Sequence, residues 1–365
     1  MAYNAFDVIK LFPVTVKNES DLSPYGNGHI NDTYLVKAED ANYILQKINK
    51  SIFKNPPRLM DNVVLVTEKI AERKKAEGTY TSDTVLRVIP ACDGKSYAVY
   101  DDEYFRLYNF VNGISYDISN NEILFKAGLA FGDFQNSLDG FDASALFETI
   151  PNFHNTKKRF ADFKKAVADN LSGRADNAKK EIELALSYEK ATSVVVDALA
   201  DKSLPLRVTH NDTKLNNILF DKDTGECVCV VDLDTIMPGS LLYDFGDALR
   251  FGGSSAAEDE TDLDKVYFEL DKYESFTRGF LSAVYKKLTE KEIELLPFSV
   301  LLLTYECGIR FLGDYINGDT YFKVAHPEHN LDRARNQLKL VVDIDSKLEQ
   351  MKDITEKILS ELKGA

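Results

Sequence analysis

The chain has few cysteines, and those it has form no recognisable framework. Four occur in 365 residues, and their positions match neither a zinc site nor the pattern of a disulfide-stapled secreted domain. Cys227 and Cys229 fall on one face of a predicted strand, which is typical of reduced thiols in a protein core. The stretch from Met1 to Pro13 lacks the basic start and continuous apolar run of a secretory signal, so we expect a cytoplasmic protein.

Basic residues are scarce relative to acidic ones. Lysine and arginine total 44 against 59 aspartates and glutamates, which gives a formal net charge of −15. This excess disfavours nucleic acid and anionic membranes as partners, because both are negatively charged. The sequence has no transmembrane run, and 44% hydrophobic residues in 365 are enough for two lobes with separate cores. We expect a globular protein, monomeric or weakly dimeric, that acts on a small molecule.

A third absence concerns nucleotide-binding motifs. The glycine-rich pattern G-x-x-x-x-G-K-[ST] does not occur, which excludes a P-loop kinase. Internal repeats and low-complexity tracts are also lacking, so repeat architectures are not expected.

The most informative feature that is present is the segment 209–217, Thr-His-Asn-Asp-Thr-Lys-Leu-Asn-Asn. It places an acid, Asp212, five residues before an amide, Asn217. A second acid, Asp232, follows an apolar and strand-like run. Kinases use this order of side chains to hold a hydroxyl acceptor and magnesium around the γ-phosphate of ATP. The segment therefore predicts a phosphotransferase.

The chemistry of phosphoryl transfer explains these residue types. The reaction needs cations over the phosphate oxygens and a group that orients and deprotonates the attacking hydroxyl. We predict that Asp212 is this base. Asn217 and Asp232 offer the oxygen ligands that Mg²⁺ prefers. Asp234 would point to the same face if the strand continues, and would then serve a second ion or its bound water.

Neighbouring residues have a structural interpretation. A lone His-x-Asp or Asp-x-Asp usually marks a cap or a turn, and only the ordered combination carries the signal. His210 is expected to brace the catalytic loop rather than to act as acid or base. Asp244-Phe-Gly spells a protein-kinase metal motif, but it follows Asp232 by twelve residues and a turn. We therefore predict that Asp244 and Asp247 bond the loop backbone or cap the next helix.

A glycine turn near the N-terminus is the candidate phosphate cover. Residues 25–28, Tyr-Gly-Asn-Gly, separate two extended segments. Gly26 and Gly28 would let backbone amides approach phosphate oxygens. Without the downstream motif an ordinary hairpin turn is the better interpretation, and with it the turn is expected to cover the phosphates. His29 and Asn31 follow directly, and either would reach phosphate or acceptor if the lobe closes.

The next strand departs from the usual kinase pattern. Where a kinase places its phosphate-pairing lysine, this chain has Gln46, and Lys47 should point to the opposite face. With Gln46 in the lysine position, nucleotide binding would depend more on Mg²⁺ and backbone amides. A helix predicted over 58–71 carries Glu68, which we expect to be exposed rather than paired.

A strand predicted over 104–111 leads out of the first lobe. Backbone groups from Asn109 to Val111 are predicted to meet the adenine of ATP, and the aromatic rings here are assigned to the core. Most of the remaining chain has helical apolar spacing. This spacing covers residues 120–138, 157–200, 263–288 and 291–316 and a final stripe from Ile344 to Leu362. The final stripe is expected to pack against the second lobe or to form a weak dimer face.

Three segments together resemble the aminoglycoside phosphotransferase and choline kinase superfamily. They are residues 25–34, 208–219 and 232–240. Shorter strings are most similar to those of the N-acetylhexosamine 1-kinases within it. These strings are residues 43–46, 131–136, 306–312 and 318–322, and the resemblance extends from about residue 21 to about residue 340.

The resemblance implies an α+β, two-lobed, protein-kinase-like fold. A small antiparallel sheet with a helix would form a nucleotide-binding lobe over 1–110, and a mainly helical catalytic and acceptor-binding lobe would cover 111–365. It also implies ATP and Mg²⁺ as cofactors. The implied reaction phosphorylates the anomeric hydroxyl of N-acetylglucosamine or N-acetylgalactosamine, with Arg310 and Tyr321 on the sugar. Arginine presents a fork of donors and tyrosine an apolar ring with a polar tip, whereas a cationic acceptor would need carboxylates.

Two alternatives remain open at the level of sequence. One is a kinase for another small hydroxyl compound, such as an amino alcohol, a methylthio-sugar or an aminoglycoside. The other is a catalytically silent, kinase-like binding module. Gln46 favours the silent module, but the retention of Asp212, Asn217 and Asp232 argues against it.

Overall fold

The computed structural model describes residues 3–26, 30–116 and 120–364. The described strands are β1 (Leu22–Pro24), β2 (Asp32–Lys37), β3 (Asn42–Ile48), β4 (Val88–Ile89), β5 (Ala98–Tyr100), β6 (Glu103–Asn109), β7 (Arg207–Thr209), β8 (Ile218–Phe220), β9 (Cys227–Val230) and β10 (Met237–Gly239). The described helices are α1 (Ala5–Ile9), α2 (Pro56–Glu77), α3 (Asn121–Ser137), α4 (Thr156–Asp169), α5 (Lys179–Ser187), α6 (Val194–Ala200), α7 (Leu241–Gly252), α8 (Leu270–Val284), α9 (Glu290–Ile316) and α10 (His329–Gly364).

The chain divides into two compact units. The first contains Met1–Tyr116, Ser137–Pro151 and Asn216–Pro238, and the second contains the rest of the chain. The first unit carries a small antiparallel sheet, and the second is mainly helical. The predicted α+β fold class is therefore confirmed. Residues 137–151 and 216–238 pack into the first unit, an arrangement that a single boundary at residue 110 does not describe.

The sheet of the first unit has the strand order β1-β2-β3-β6-β4, and β5 also pairs with β6. Alternate residues of β3 point inward, so that Tyr43 and Leu45 are buried with Phe105 and Leu107 of β6. The register places Gln46 opposite Thr33 of β2 on one side and opposite Arg106 of β6 on the other. This pairing fixes what Gln46 can contact.

Helix α2 begins and ends where its sequence signals predict. The side chain of Asn55 accepts a hydrogen bond from the backbone N–H of Arg58, and Pro56 occupies the first turn. The helix ends at Gly78, whose φ of 72° lies in the left-handed region. Its buried face confirms the helix predicted over 58–71, and Glu68 is exposed as expected.

A short hairpin, β8–β9, carries the predicted metal-binding segment in the first unit. Ile218 pairs with Val230, and the N–H of Val231 donates to the carbonyl of Asn217 over 2.9 Å. Strand β9 ends at Val230, after which the chain turns. Asn217 and the residues that follow Val231 are therefore neighbours across the hairpin.

The second unit confirms most of the predicted helical segments. The predicted stretch 157–200 is divided into α4, α5 and α6, because Asn170 adopts a left-handed φ of 40° and ends α4. Helix α8 begins at Leu270 rather than near 263, since residues 263–265 form a separate single turn. Helix α7 was not among the predicted segments. It begins after Ser240, whose hydroxyl accepts from the N–H of Leu242.

Helices α3 and α8 of the second unit pack so closely that the backbone of each contacts the other. A Cβ added to Gly128 of α3 would lie 2.1 Å from the carbonyl oxygen of Phe276. One added to Gly279 of α8 would lie 2.0 Å from the carbonyl oxygen of Phe125. No side chain fits at either position without moving a backbone, so glycine sets the distance between these helices.

Helix α9 is long and apolar enough to cross a membrane by length and composition. Within its most apolar window, 89% of the residues are buried inside the structure. Its N-terminus carries a capping box between Thr289 and Glu292. Helix α9 is therefore accounted for as a core helix, which α7 and α10 cover.

Candidate active site

The predicted base lies in a tightly held loop of the second unit. Asp212 follows β7, and Asn211 before it has a φ of 65°. A non-glycine residue in the left-handed region is uncommon, and such residues cluster at functional sites. The carboxylate of Asp212 retains 27% of its exposure, so it can reach a ligand.

His210 holds this loop from inside the core. Its side chain is buried, and its ring meets the edges of Phe131 and Phe134 at centroid distances of 5.9 Å each. The backbone N–H of Asp212 donates to Nδ1 of His210 over 3.3 Å. These contacts are those expected of a brace, as the sequence predicted.

Asp244 holds the same loop by accepting hydrogen bonds from the loop's backbone. Its buried carboxylate accepts from the N–H of His210 over 3.0 Å and from the N–H of Asn211 over 2.8 Å. It also accepts from Nε2 of Gln135 over 2.8 Å, and its carbonyl accepts from the hydroxyl of Thr213 over 2.7 Å. Burial raises the pKa of Asp244, although these donors oppose the increase. The supporting role predicted for Asp244 agrees with this geometry.

A charged cluster lies beside the base. The ammonium of Lys214 is 3.1 Å from the carboxylate of Asp212. Burial lowers the pKa of Lys214, but the nearby carboxylates of Asp212 and Asp247 outweigh burial and the net pKa is raised. Asp247 is itself paired with Arg250 over 3.0 Å. Each carboxylate here has a cation within reach.

In the first unit, Asn217 comes directly before β8 and Asp232 follows β9, at the same end of the β8–β9 hairpin. Asp232 is exposed and has φ and ψ of 60° each, which turns the chain out of the strand. Side-chain oxygens of this kind fit Mg²⁺, which takes one or two carboxylates and completes its shell with phosphate and water oxygens. In the described ranges no three His, Cys, Asp or Glu side chains form a metal-binding group.

Asp234 is held by other partners. One carboxylate oxygen forms a buried ion pair with Arg106, and the other accepts from Nδ2 of Asn31 over 2.6 Å. The strand does not continue to Asp234, so the condition for its predicted metal role is not met. That role stays a prediction.

The sequence reasoning missed Arg106, the buried cation of the first unit. Its side chain is 1% exposed, and its Nε and one terminal nitrogen donate to Oε1 of Gln46 over 3.0 and 2.8 Å. Burial lowers the pKa of Arg106, but Asp234, Tyr108 and Asp232 together outweigh burial, and the net pKa is raised. Gln46 in turn donates to the hydroxyl of Thr33 over 3.0 Å. A lone arginine inside the apolar strand 104–108 was the available signal.

Lys47 points away from this cluster, as the strand alternation predicts. Its ammonium lies 3.9 Å from Asp32 and 3.7 Å from Glu103. It also lies 5.2 Å from the centre of the Tyr3 ring. Lys47 therefore does not replace the missing lysine.

The predicted adenine-binding residues are partly engaged in the fold. The side chain of Asn109 accepts from the N–H of Arg87 over 2.6 Å and donates to the carbonyl of Ser82 over 2.7 Å. The N–H groups of Asn109 and Phe110 also donate to backbone carbonyls. Two backbone N–H groups of this segment are therefore already engaged, and its contact with adenine stays a prediction.

In the predicted glycine turn, Gly26 has a φ of 73°, a conformation that glycine adopts without strain. Gly28 and His29 lie outside the described residues. Asn31 is among the described residues, and its side-chain Nδ2 donates a hydrogen bond to the carboxylate of Asp234.

Arg310 and Tyr321 line one cavity of about 180 Å³ in the second unit. The guanidinium of Arg310 lies 5.5 Å from the centre of the Phe322 ring. Tyr321 is 72% exposed, and its N–H donates to Asp314 over 2.9 Å. The structure thus brings both predicted sugar-binding residues to one cavity, and Arg159 lines it as well.

The chain matches the model of the phosphotransferase enzyme family over residues 21–276, more than two thirds of its length. The chain belongs to this family. The predicted superfamily is thereby confirmed, and a phosphotransferase acting on hydroxyl groups of small molecules is the activity the family describes. The narrower resemblance to the N-acetylhexosamine 1-kinases stays a prediction.

Several solved structures are similar in fold to this phosphotransferase. Choline kinase from Cryptosporidium parvum Iowa II is similar with a TM-score of 0.60 and 13% identity, covering 97% of each chain. An aminoglycoside phosphotransferase from Alicyclobacillus acidocaldarius has a TM-score of 0.57 and 11% identity, covering 100% of this chain and 98% of the other. Aminoglycoside 2′-phosphotransferase-IIIa, solved as a GDP complex, has a TM-score of 0.57 and 14% identity, covering 92% and 97%. These likenesses show a kinase-like fold.

Proposed function

We propose that this phosphotransferase transfers the γ-phosphoryl group of ATP to the anomeric hydroxyl of an N-acetylhexosamine. The hydroxyl oxygen forms a bond to the γ-phosphorus, and the bond from that phosphorus to the bridging oxygen breaks. The hydroxyl proton passes to Asp212, and the products are the sugar 1-phosphate and ADP.

The observation that carries the proposal is the set of hydrogen bonds that fixes the loop of Asp212. A general base must be fixed within hydrogen-bonding distance of the proton it takes. Backbone N–H groups of the Asp212 loop donate to the buried carboxylate of Asp244 and to the ring of His210. The acid is thus presented on a rigid loop, and its carboxylate stays accessible.

Asn217 and Asp232 would hold Mg²⁺. When bound, the ion neutralises charge on the phosphate oxygens. The motif spacing, from Asp212 to Asn217 and on to Asp232, predicts that these residues act on the same phosphoryl group as the base. The hard oxygen donors agree with this choice of ion.

Nucleotide binding is supported by the GDP complex of one fold relative. In this chain, Arg106 supplies the buried positive charge that Gln46 lacks, and Gln46 orients its guanidinium through two hydrogen bonds. A guanidinium is always charged and presents several donors in a fixed plane, which suits phosphate oxygens. Arg106 therefore argues against the silent binding module that Gln46 suggested.

The acceptor assignment depends on Arg310 and Tyr321. Both line a cavity that also contains a second arginine, Arg159, and two carboxylates, those of Asp162 and Asp314. The carboxylate of Asp162 is already paired with a lysine, and that of Asp314 already accepts from backbone N–H groups. Guanidinium donors suit the hydroxyl and carbonyl oxygens of a neutral sugar and repel an ammonium group. This observation favours a sugar over an amino alcohol or an aminoglycoside.

The test is ADP release from Mg²⁺-ATP with a panel of acceptors, with phosphorus NMR on the products. The panel contains N-acetylglucosamine, N-acetylgalactosamine, glucosamine, galactose, choline and an aminoglycoside. We expect a 1-phosphate from the two N-acetylated sugars. Turnover confined to choline or to the aminoglycoside would reject the sugar assignment and keep the kinase.

A further inference from the structure

The loop 318–322 follows α9 and reverses the direction of the chain. Gly318 and Asp319 both have left-handed backbone, with φ of 91° and 59°. The N–H of Asp319 donates to the carbonyl of Asp314 over 2.8 Å, as is common where a helix ends in left-handed residues. The reversal brings residues 320–322 beside the last turns of α9, where they line the cavity of about 180 Å³.

The carboxylate of Asp314 accepts five hydrogen bonds. Its Oδ1 accepts from the N–H and the hydroxyl of Thr320, over 2.9 and 3.3 Å, and from the N–H of Tyr321 over 2.9 Å. Its Oδ2 accepts from the N–H of Phe322 over 2.9 Å and from Nδ2 of Asn330 over 3.0 Å. Three consecutive backbone N–H groups thus converge on one carboxylate. Asp314 is 6% exposed, so water competes little for these bonds.

A second acid, Asp319, holds the start of the same loop. It forms an ion pair with Arg174, and its other carboxylate oxygen accepts from Nδ2 of Asn330 over 2.9 Å. Asn330 therefore bridges Asp314 and Asp319. Because these bonds are made inside the protein, the backbone of the loop is fixed although the side chain of Tyr321 is 72% exposed.

The loop also determines the surroundings of Arg310, which lies one helical turn before Asp314 on the same face of α9. The guanidinium of Arg310 is 5.5 Å from the centre of the Phe322 ring and 6.0 Å from that of Phe153. Phe322 also packs against Phe311, with ring centres 4.6 Å apart. A guanidinium that contacts aromatic rings keeps its N–H donors available to other groups. Since Asp314 fixes the backbone of Phe322, it also fixes one of the rings that hold Arg310.

The end of α9 does not by itself require the side chain of Asp314. The left-handed cap is made by the bond from the N–H of Asp319 to the carbonyl of Asp314, which any residue would offer. The bonds to the carboxylate go instead to residues 320–322, and these line the cavity together with Arg310. The carboxylate therefore serves the wall of the cavity.

We infer that Asp314 is a positioning residue for the acceptor, an inference that rests on the proposed function. Asp314 fixes Tyr321 and Phe322 relative to Arg310, so the sugar binds a cavity whose wall is set before the sugar arrives. Asp314 acts through these residues and not on the transferred phosphoryl group. Its loss should weaken sugar binding and leave ATP binding unchanged.

The first test is Asp314→Asn. The amide keeps one accepting oxygen, but its NH₂ group meets N–H groups that donate to the carboxylate in the wild type. Glu294→Gln is the matched control, because Glu294 is an exposed acid of the same helix. Circular dichroism and a thermal melt check that each variant is folded.

We expect KM for N-acetylglucosamine to rise roughly tenfold or more in Asp314→Asn, while KM for ATP keeps its wild-type value. A residue that only stabilised the fold would not separate the two constants in this way. The control should keep both constants.

The second variant is Phe322→Leu, which removes the ring beside Arg310 and keeps the backbone bond to Asp314. It should also raise KM for the sugar and not KM for ATP, and it provides the test if Asp314→Asn does not fold. Because Asp314 acts through Phe322, the double variant should lose less in kcat/KM for the sugar than the product of the two single losses. Losses that multiply would show that Asp314 acts independently of the loop, which would overturn the inference.

Amide hydrogen exchange of the free wild type tests the loop without a substitution. The N–H groups of Tyr321 and Phe322 should exchange slowly, because both donate to a buried carboxylate. Exchange as fast as that of an unfolded peptide would contradict a wall that is set before the sugar binds.

The failure of this inference differs from the failure of the proposed function. Folded Asp314→Asn and Phe322→Leu variants with the wild-type KM for the sugar would overturn the inference and leave the sugar kinase standing. A wild type that phosphorylates neither N-acetylglucosamine nor N-acetylgalactosamine would reject the proposed function, and the inference with it.

Discussion

Arg106 on β6 and Asp234 after β9 form a buried ion pair between two segments more than a hundred residues apart in the chain. The pair is extended by Gln46 and Asn31, so four side chains share one network. Every member comes from the first unit. The network ties the sheet of the first unit to the segment that carries the predicted metal ligands.

Replacing Arg106 with methionine should destabilise the protein by about 3–5 kcal/mol, because the carboxylate of Asp234 would be left buried without its partner. Urea unfolding measures this loss, and ATP affinity should also fall. Lys47→Met is the control on the same sheet, and its partly exposed ion pairs should contribute less than about 1 kcal/mol. Equal losses in both variants would show that the buried pair has no special role.

Asp212→Asn should reduce kcat by about 10²–10⁴-fold, the usual contribution of a general base. ATP binding should be kept, as equilibrium titration with a fluorescent nucleotide would show. Asp201→Asn, a change of an exposed acid, is the control and should retain full activity. An Asp212→Asn variant with near wild-type turnover would remove Asp212 as the base.

Glu306 gives the protein a stability that depends on pH. Burial raises its pKa, but His154 at 2.8 Å, Thr156 at 2.5 Å and Arg310 outweigh burial, so the folded pKa is below the ordinary value of 4.5. The unfolded chain therefore binds the proton more readily. The contribution of Glu306 is present above pH 4.5 and is lost as the pH falls through the lowered folded pKa.

Glu306→Gln should therefore be less stable than the wild type at pH 7, by about 1.5–3 kcal/mol for hydrogen bonds to a charged group. The difference should shrink as the pH is lowered below the ordinary range of glutamate. Unfolding free energies at pH 7, 5, 4 and 3 measure it. A difference that stays constant across this series would contradict the pKa direction.

Gly279→Ala should destabilise the second unit by about 1–3 kcal/mol or more, because the new methyl would overlap the carbonyl of Phe125. Gly313→Ala is the matched helical control. Its Cβ would lie 3.8 Å from the nearest atom, an ordinary contact, so alanine should be neutral or stabilise by roughly 0.5–1 kcal/mol. Thermal melts of both variants measure these changes in stability. A Gly279→Ala variant as stable as the wild type would mean that α3 and α8 can move apart to accommodate the methyl group.

Local signals predicted much of the fold. Asn55, Pro56 and Gly78 bound α2 through contacts within a few residues, which a sequence displays directly. The bracing roles of His210 and Asp244 also followed from the motif and its surroundings. The interruption at Asn170 was missed, because asparagine is tolerated in helices and only the observed left-handed φ shows that α4 ends there.

The sequence offered a signal for Arg106, a lone arginine in an apolar strand, but its partners could not be predicted, for a physical reason. Gln46 and Arg106 face each other through the register of β3 and β6, and sixty residues separate them in sequence. The rule of alternating faces does not apply at Asp234, because the strand ends at Val230. It assumes extended backbone, and the left-handed conformation of Asp232 ends the strand geometry two residues earlier.

The backbone at Asp232 restricts which residues selection can place there. Among residues with a side chain, aspartate and asparagine tolerate the left-handed region best, since their short polar side chains bond locally. Glutamate would offer a similar carboxylate but at a strained backbone. Aspartate, asparagine and glycine are therefore the residues that this backbone favours, and of the three only aspartate offers a carboxylate to the proposed ion.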